Sequence, residues 1–241
     1  MELLKQPFTE GKEQEQLEEY RYMASVYARI ENAIAVLSDM KDNMSYIHYG
    51  GIAERLGLAE HDKLQTIHSI WEGDVISRIH PDDLPGKYLG ELRFYHFMKS
   101  VPRKKRTDYY LLNNIRMRDA YGKYVYVLHR MFYLAYDSNG CARLSLCLYN
   151  LSPSTVLECL IVNSVTGLVL KPENQGGTDL LTNREKTVLR LIEEGKTSKD
   201  IAQILAISIY TVNRHRQNIL EKLQVGNSME ACKLARKLKL F

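Results

Sequence analysis

The chain has 241 residues, of which 45% are hydrophobic and 26% are charged, and its formal net charge is +4 at pH 7. This composition is ordinary for a globular protein, and the length is sufficient for two domains. No apolar run approaches 18 residues and the first residues lack an extended apolar region, so we expect no membrane span, no signal peptide and a cytoplasmic location.

The four cysteines of the chain, Cys141, Cys147, Cys159 and Cys232, show no metal-binding pattern. They form no CxxC pair and have no matching histidine spacing, so the sequence predicts neither a zinc site nor a disulfide framework. Cys141 and Cys147 share one face if both lie on a single strand. Packing is then a simpler interpretation of the pair than redox sensing.

An amphipathic helix is predicted within residues 1–31. The segment is rich in Glu, Gln and Arg, and apolar residues recur at three- and four-residue spacing: Leu17, Tyr20, Ala24 and Tyr27. Such a stripe either docks on its own domain or forms a short two-helix seam between two copies. The sequence leaves these two alternatives open.

Residues 32–171 have the pattern of an α+β domain. Short strands at 34–37 and 44–49 are followed by brief helices and by a longer helix from about Leu84 to Lys99. Three long alternating strands, separated by turns rich in Asp and Gly, then predict an antiparallel meander. The apolar hairpin that follows, at 156–171, either extends this sheet or covers it.

The run His80-Pro81-Asp82-Asp83 stands directly before the longer helix. Proline and acids favour the start of a helix, so we prefer that interpretation to a metal or acid–base cluster. This run and the order of elements resemble a PAS sensor domain over about residues 32–152. The resemblance implies a five-stranded antiparallel sheet that cups helices around a ligand cavity, often with dimerisation through flanking helices.

The same resemblance draws attention to His96, because haem-binding PAS domains ligate iron from this region. Its aromatic neighbours Phe94, Tyr95 and Phe97 suit either haem or an ordinary core, and an ordinary core is the preferred interpretation. The resemblance implies no particular cofactor, since many PAS domains bind none.

A composition break at 172–180, with one proline and two glycines, predicts a linker. Beyond it, residues 181–241 predict an all-α domain of four helices. Thr182 with Glu185 and Thr197 with Asp200 have the spacing of capping boxes, and each predicts the start of a helix. In the second of these helices the spacing predicts that Ile201, Ala202, Ile204 and Leu205 face the core.

Ser208 is a third cap, and the helix that follows, from Ile209 to Lys222, has the position of a recognition helix. Its apolar residues recur at helical spacing, which leaves a donor-rich outer set without acids: Asn213, Arg214, His215, Gln217 and Asn218. A helix fits the major groove, where Asn and Gln pair with adenine and Arg pairs with guanine.

The four-helix segment resembles the LuxR/GerE-type DNA-binding domain. The resemblance rests on framework residues that include Thr182, Glu185, Gly195, Asp200, Ile201, Ser208, Val212, Ile219 and Leu223. It implies a domain that binds double-stranded DNA as a homodimer and usually regulates transcription. Asn213, Arg214 and Gln217 fall where the family contacts bases. The positions where it meets phosphate or the groove wall are Lys199, Thr211, His215 and Lys222.

Charge favours DNA binding independently of the resemblance. Residues 181–241 contain 12 Lys and Arg against 6 Asp and Glu, a net charge of +6, whereas residues 1–180 contain 21 against 23, a net charge of −2. No convergent acid, base and nucleophile set points to an enzyme. We therefore expect a transcriptional regulator whose PAS-like domain senses a small-molecule ligand or a partner. The alternative is a constitutive factor in which that domain is only a platform for dimerisation or protein interaction.

Overall fold

Residues 6–8, 14–172, 181–223 and 225–237 are described by the computed structural model of the chain. The chain divides into two units that separate between residues 175 and 176. Apart from Pro172, the predicted linker at 172–180 lies outside the described residues.

An antiparallel sheet forms the amino-terminal unit. Its described strands are β1 (Ile34–Asp39), β2 (Met44–Tyr49), β3 (Leu64–Ile67), β4 (Tyr109–Arg118), β5 (Tyr124–Tyr136), β6 (Ala142–Leu151), β7 (Cys159–Asn163) and β8 (Val169–Leu170). They are hydrogen-bonded in the order β3-β2-β1-β6-β5-β4-β7-β8, and every neighbouring pair is antiparallel.

The five predicted strands lie together at the centre of this sheet, as β2-β1-β6-β5-β4, and the unit has a PAS-like fold. The predicted number of five strands is wrong, because eight are present among the described residues. On one edge β3 pairs with β2, and on the other the hairpin β7–β8 extends the sheet rather than covering it. The sequence did not predict β3, because this edge strand has only four residues and none of them is fully buried.

Helices cover both faces of the sheet. They are α1 (Gln14–Ile30), α2 (Ile52–Arg55), α3 (Gly73–Ile76) and α4 (Leu84–Ser100), and α4 agrees with the predicted longer helix. Within the described part of the chain, none of the helices has the length and apolar character needed to cross a membrane.

The first helix docks on its own sheet, although Tyr27 of the predicted apolar stripe is 44% exposed. Leu17, Ala24 and Ala28 of α1 pack in one cluster with outward-facing residues of β1, β5 and β6. Where α1 ends, Gly50 fits so closely that a Cβ atom there would lie 2.3 Å from the carbonyl oxygen of Ala28. Only glycine permits this contact.

The start of α4 follows the His80-Pro81-Asp82-Asp83 run, as expected, but Asp83 does not cap the helix with its side chain. Its carboxylate instead accepts hydrogen bonds from the backbone N–H and the guanidinium of Arg116 on β4, at 2.8 Å, 2.9 Å and 2.5 Å. The acid therefore fastens the helix to the sheet.

The buried face of α4 includes Phe94, Tyr95 and Met98, which belong to the main hydrophobic core. His96 is only partly buried and its ring lies against that of Tyr95, with 5.6 Å between the centroids. The haem candidate thus lies outside the set of fully buried residues on the helix.

Polar residues also line this interior. Six of them form what we call the core polar cluster: Lys87, Glu91, Asn113, His129, Tyr133 and Tyr149. All are buried except Glu91, whose side chain is 13% exposed. Lys87 donates to Glu91 across 2.6 Å, and Tyr149 donates to Glu72 across 2.7 Å. Burial alone would lower the pKa of Lys87, but the charge of Glu91 raises it overall.

His129 is held uncharged in this cluster. Burial, reinforced by the charge of Lys87, lowers the pKa of His129 well below its ordinary value of 6.5. Its ring stacks on Tyr149 with 4.8 Å between the centroids. Protonation of His129 is therefore less favourable in the folded chain than in the unfolded chain.

The carboxyl-terminal unit is helical, with α5 (Asn183–Glu193), α6 (Ser198–Leu205), α7 (Ile209–Leu223) and α8 (Ser228–Lys237). Its core is assembled from one face of each helix: Val188, Leu189, Ile201, Ala202, Val212, Ile219, Leu223, Ala231 and Ala235. One expected core residue is placed differently, because Ile204 of α6 is 54% exposed. Leu205, its neighbour, turns partly inward instead.

The turn between α6 and α7 passes through a left-handed residue that is not glycine. Ala206 has φ 52° and ψ 45°, a conformation that costs an L-residue about 1 kcal/mol relative to glycine. We expect Ala206→Gly to raise the free energy of unfolding of this unit by about 0.5–1 kcal/mol.

Urea unfolding of the two proteins measures this difference. Gly195→Ala is the matched control, since Gly195 has φ 80° and alanine should destabilise the protein there by about 1 kcal/mol. A loss of stability in Ala206→Gly would contradict the account of the turn.

The lowered pKa of His129 predicts a dependence of stability on pH. Below about pH 6.5 the unfolded state binds a proton that the folded state excludes, so acidification favours unfolding. His129 alone should contribute up to about 1.4 kcal/mol per pH unit in that range.

His129→Phe keeps an aromatic ring against Tyr149 and should remove this contribution. Urea unfolding at several pH values between about pH 7.5 and about pH 5 compares the two proteins. If the free energies of unfolding of the two proteins depend on pH in the same way, His129 already binds its proton in the folded state and the account of its lowered pKa is contradicted.

Candidate nucleic-acid interface

Local capping bonds set the directions of α6 and α7. Thr197 and Asp200 form the predicted capping box, in which Asp200 N–H donates to the Thr197 hydroxyl at 3.3 Å and Thr197 N–H donates to the carboxylate at 2.9 Å. At the start of α7, Thr211 N–H donates to the Ser208 hydroxyl at 3.0 Å. Both helix starts therefore lie where the sequence predicts them.

Glu185 connects the first helix of the unit to the last turn of α7. Its carboxylate accepts from Thr182 N–H at 2.8 Å, which completes the first capping box, and from Lys222 Nζ at 2.7 Å. The side chain of Glu185 is 3% exposed. A buried carboxylate with these donors fixes α7 against α5.

These contacts govern the charge state of Glu185. Burial by itself would raise the pKa of the carboxyl group, but hydrogen bonds from Lys222 and Thr182 outweigh burial and lower the pKa overall. The stabilisation is therefore present above the ordinary value of 4.5 and is lost as the pH falls through the lowered pKa.

A continuous exposed stripe runs along α7, opposite its buried residues. The predicted base-contacting residues Asn213, Arg214 and Gln217 are all exposed. Tyr210 precedes them at the same helical spacing and is 77% exposed. We call these four residues the reading stripe. Tyr210 was not among the predicted residues, although its three- and four-residue spacing from Asn213 and Arg214 can be read from the sequence.

The predicted phosphate and groove residues lie in different environments. Lys199 is exposed near the start of α6, whereas Thr211 is partly buried and bonds the Ser208 hydroxyl at 2.8 Å. His215 is partly buried, and its Nδ1 atom is without a hydrogen-bond partner among the described residues. The ammonium group of Lys222 is ion-paired with the carboxylate of Glu185 at 2.7 Å.

Two arginines of the unit support the fold rather than extend the reading stripe. Arg184 donates to the carbonyl oxygen of Leu205 at 2.8 Å and so joins α5 to the end of α6. Arg216 reaches the hydroxyls of Ser198 at 3.4 Å and Ser228 at 3.2 Å. Their positive charges are thus directed toward other helices.

Residues 179–235 match the family profile GerE, described as bacterial regulatory proteins of the luxR family. The carboxyl-terminal unit is a LuxR-type helix-turn-helix domain. This match covers about a quarter of the chain and includes the whole reading stripe.

Two curated proteins are similar within the LuxR-type domain. The uncharacterized response regulatory protein YgeK of Escherichia coli K12 is 51% identical over 55 residues, which are 23% of this chain and 37% of YgeK. The transcriptional activator protein AnoR of Acinetobacter nosocomialis is 53% identical over 51 residues, 21% of each chain. The chain thus spans between about a fifth and two fifths of these relatives.

Among solved structures, the phage VqmA-DPO complex has 13% sequence identity and a TM-score of 0.33, covering 95% of this chain and 92% of that chain. A TM-score this low supports no conclusion about the present chain. The PAS-like character of the amino-terminal unit rests on its own strand order.

Removal of the Glu185 carboxylate should destabilise the LuxR-type domain more than removal of an ordinary capping acid. Glu185→Ala loses the capping box and the hydrogen bond to Lys222, whose side chain is 36% exposed, so we expect a cost of about 1–3 kcal/mol. Asp200→Ala is the matched control, because that capping box is more exposed and its loss should cost clearly less.

Urea unfolding measured with a probe in the LuxR-type domain gives both values. If both variants lose the same free energy of unfolding, Glu185 does not connect α5 to α7 in the way described.

Proposed function

We propose that the chain is a DNA-binding transcriptional regulator that reads a specific duplex through α7. The observation that carries the proposal is the reading stripe, Tyr210, Asn213, Arg214 and Gln217. It presents polar side chains on a helix whose opposite face is buried in the LuxR-type domain. The relative AnoR, named a transcriptional activator protein, supports the same function.

The chemistry of the reading stripe suits the major groove. Arg214 can donate two hydrogen bonds to guanine, and the amides of Asn213 and Gln217 can each pair with adenine. Tyr210 adds a ring at the amino-terminal end of α7, where it suits contact with a thymine methyl group or a phosphate. None of the four residues of the reading stripe is acidic, and Glu185 is paired with Lys222.

Phosphate contacts would position the reading stripe. Lys199, Thr211, His215 and Lys222 are the proposed residues, and the net charge of +6 over residues 181–241 favours counterion release. Lys199 is the most accessible of the four, whereas Lys222 would share its ammonium group between Glu185 and DNA. We therefore expect Lys199 to contribute more.

A homodimer would present two copies of α7. Met229 on α8 is 70% exposed, and an apolar side chain on this helix suits a contact between two LuxR-type domains. Half-sites about one helical turn apart, about 34–36 Å, would then be read together. The operator should be approximately palindromic.

The PAS-like unit would regulate DNA binding through a small-molecule ligand or a protein partner. Such a signal acts only if it binds more tightly to one of two states of the regulator. The core polar cluster supports a ligand, since buried polar groups in an apolar interior provide specific recognition.

A second candidate is a constitutive DNA-binding factor whose PAS-like unit only holds two copies together. The observation that favours it is an exposed apolar stripe on α1, formed by Met23, Tyr27 and Ile30. Comparison of DNA affinity before and after removal of small molecules by refolding distinguishes the two. Unchanged affinity favours the constitutive factor.

Substitution in the reading stripe should reduce both affinity and selectivity. A duplex selected from a random library provides the operator, and fluorescence anisotropy at constant salt gives its affinity. Arg214→Ala should weaken operator binding by about 1–3 kcal/mol while affecting a scrambled duplex much less.

Arg236→Ala is the charge-matched control, because Arg236 lies on α8 and is ion-paired with Glu193 at 2.6 Å. It should leave the preference for the operator unchanged. If both variants lose affinity equally for both duplexes, Arg214 acts only through its charge and does not read a base.

A further inference from the structure

A short basic segment connects α4 to β4 in the PAS-like unit. Residues 99–106 contain five basic side chains and no acid, and a 3-10 helix spans Arg103–Asp108. The five basic residues, which we call the basic patch, are Lys99, Arg103, Lys104, Lys105 and Arg106. Four of them are exposed and Arg106 is partly buried, so the patch is open to a partner.

Two arginines of the basic patch fix its shape against the turn between β5 and β6. Arg103 donates to the carbonyl oxygen of Ser138 at 3.1 Å, and Arg106 donates to that of Gly140 at 3.1 Å. Arg106 also donates to the carbonyl oxygen of Val101 at 3.0 Å, just before the basic segment. The segment is therefore held in one position by bonds from its own side chains.

Lys99 lies in the same neighbourhood although it belongs to α4. Its Nζ atom is 4.3 Å from the ring centroid of Tyr95. Burial raises the pKa of Cys141, at the start of β6, and the charge of Lys99 acts in the opposite direction. Lys99 therefore adds its charge to those of Arg103 and Arg106 around this turn.

Lys104 and Lys105 are left available by this arrangement. Both are exposed, and within the described part of the chain neither ammonium group has a hydrogen-bond or ion-pair partner. The arginines hold the segment, and the two lysines project from it as unpaired positive charges.

The basic patch contrasts with the rest of the amino-terminal part of the chain. Residues 1–180 contain 21 Lys and Arg, and the 16 that lie outside the patch are accompanied by 23 Asp and Glu. An acidic surface repels a duplex, whereas a concentrated basic patch attracts one. The PAS-like unit therefore has a preferred side toward a polyanion.

The chemistry of the patch favours a phosphate backbone over an acidic protein. The guanidinium groups of Arg103 and Arg106 already donate to carbonyl oxygens, which limits their use as bidentate partners for carboxylates. The free groups are lysine ammoniums, which act as point charges and bind phosphate. Lysine is depleted in protein–protein interfaces but contacts DNA phosphates frequently.

We propose that the basic patch binds the phosphate backbone of the duplex outside the two half-sites, as a second and sequence-independent DNA contact. The inference rests on the proposed function, because α7 brings the duplex to the chain. Once α7 has bound, the patch and the flanking phosphates are held at a high effective concentration, so contacts too weak to bind DNA alone still add to the affinity.

Two duplexes test the proposal with the full chain. The minimal duplex contains the selected operator alone, and the extended duplex adds about 15 base pairs on each side, about one and a half helical turns. Fluorescence anisotropy at several salt concentrations gives the affinity for each duplex and its salt dependence. The variant combines Lys104→Gln and Lys105→Gln, two exposed positions at which folding should not be affected.

We expect the double variant to bind the extended duplex about three- to tenfold more weakly at about 0.15 M salt. The slope of log affinity against log salt should become shallower by about 2, because two phosphate contacts are lost. Affinity for the minimal duplex should be unchanged. A scrambled duplex of the extended length should also be bound more weakly, since phosphate contacts carry no sequence information.

Lys63→Gln combined with Lys123→Gln is the charge-matched control. Both lysines are exposed in the same unit and lie outside the basic patch, and the control loses the same two positive charges. It should bind both duplexes as the original chain does. An equal loss of affinity in the control and in the patch variant would show a general effect of net charge and overturn the proposal.

The two duplexes also separate this inference from the proposed function. If the patch variant and the original chain bind the extended duplex with the same affinity and salt slope, the second contact is absent, although α7 still reads the operator. If the operator is not preferred over the scrambled duplex, the proposed sequence reading fails, whereas a patch-dependent salt slope still supports the second contact.

Vesicles of phosphatidylcholine and phosphatidylserine provide a different polyanionic surface for the same proteins. Weaker binding of the patch variant to these vesicles, with no change on either duplex, would assign the patch to a membrane surface and overturn the proposal.

Discussion

The buried carboxylate of Glu185 joins two helices of the LuxR-type domain, α5 and α7, at one point. It caps α5 through Thr182, holds the last turn of α7 through Lys222, and is shielded from solvent by both helices. Because the ammonium group of Lys222 bonds this carboxylate, the far end of α7 is anchored to the domain. The reading stripe at Tyr210 to Gln217 is thereby presented by a helix that is fixed at both ends, with Ser208 capping the other.

The PAS-like unit follows a different design. Its sheet is buried on both faces, and β1 illustrates this with Ile34 and Val36 toward the inner helices and Ala35 and Leu37 toward α1. The cluster that α1 covers on the outer face is formed by apolar residues, whereas the inner face carries the core polar cluster. The buried polar side chains of the cluster thus lie on the side that faces α4, and α1 packs on the opposite side.

The parts of the structure that the sequence predicted are those set by local interactions. The capping boxes at Thr182 and Thr197 and the cap at Ser208 each involve residues three positions apart, so the sequence alone placed three helix starts. Strict alternation likewise revealed the long strands. The sheet is larger than the five strands expected because the predicted hairpin β7–β8 joins it and because the edge strand β3 is too short and too exposed to show a period.

The remaining features depend on contacts between distant residues. Lys222 was assigned to a phosphate or groove contact by the resemblance to the LuxR/GerE family, and its bond to Glu185 could not be predicted because Glu185 lies 37 residues away in the sequence. The core polar cluster could not be predicted from the sequence either, because Glu91, His129 and Tyr149 come together only when α4 packs on the sheet. Ile204 was assigned to the core by its spacing, and only the crossing of the helices exposes it.

Photo-cross-linking from the reading stripe tests most directly whether this surface lies in the major groove. A photoreactive side chain placed at position 213 or 217 of the full chain should form adducts with bases of the selected duplex. The same group at position 236, on α8, should give few or none. Adducts from position 236 in the absence of adducts from 213 and 217 would contradict the account, because DNA would then bind another surface of the domain.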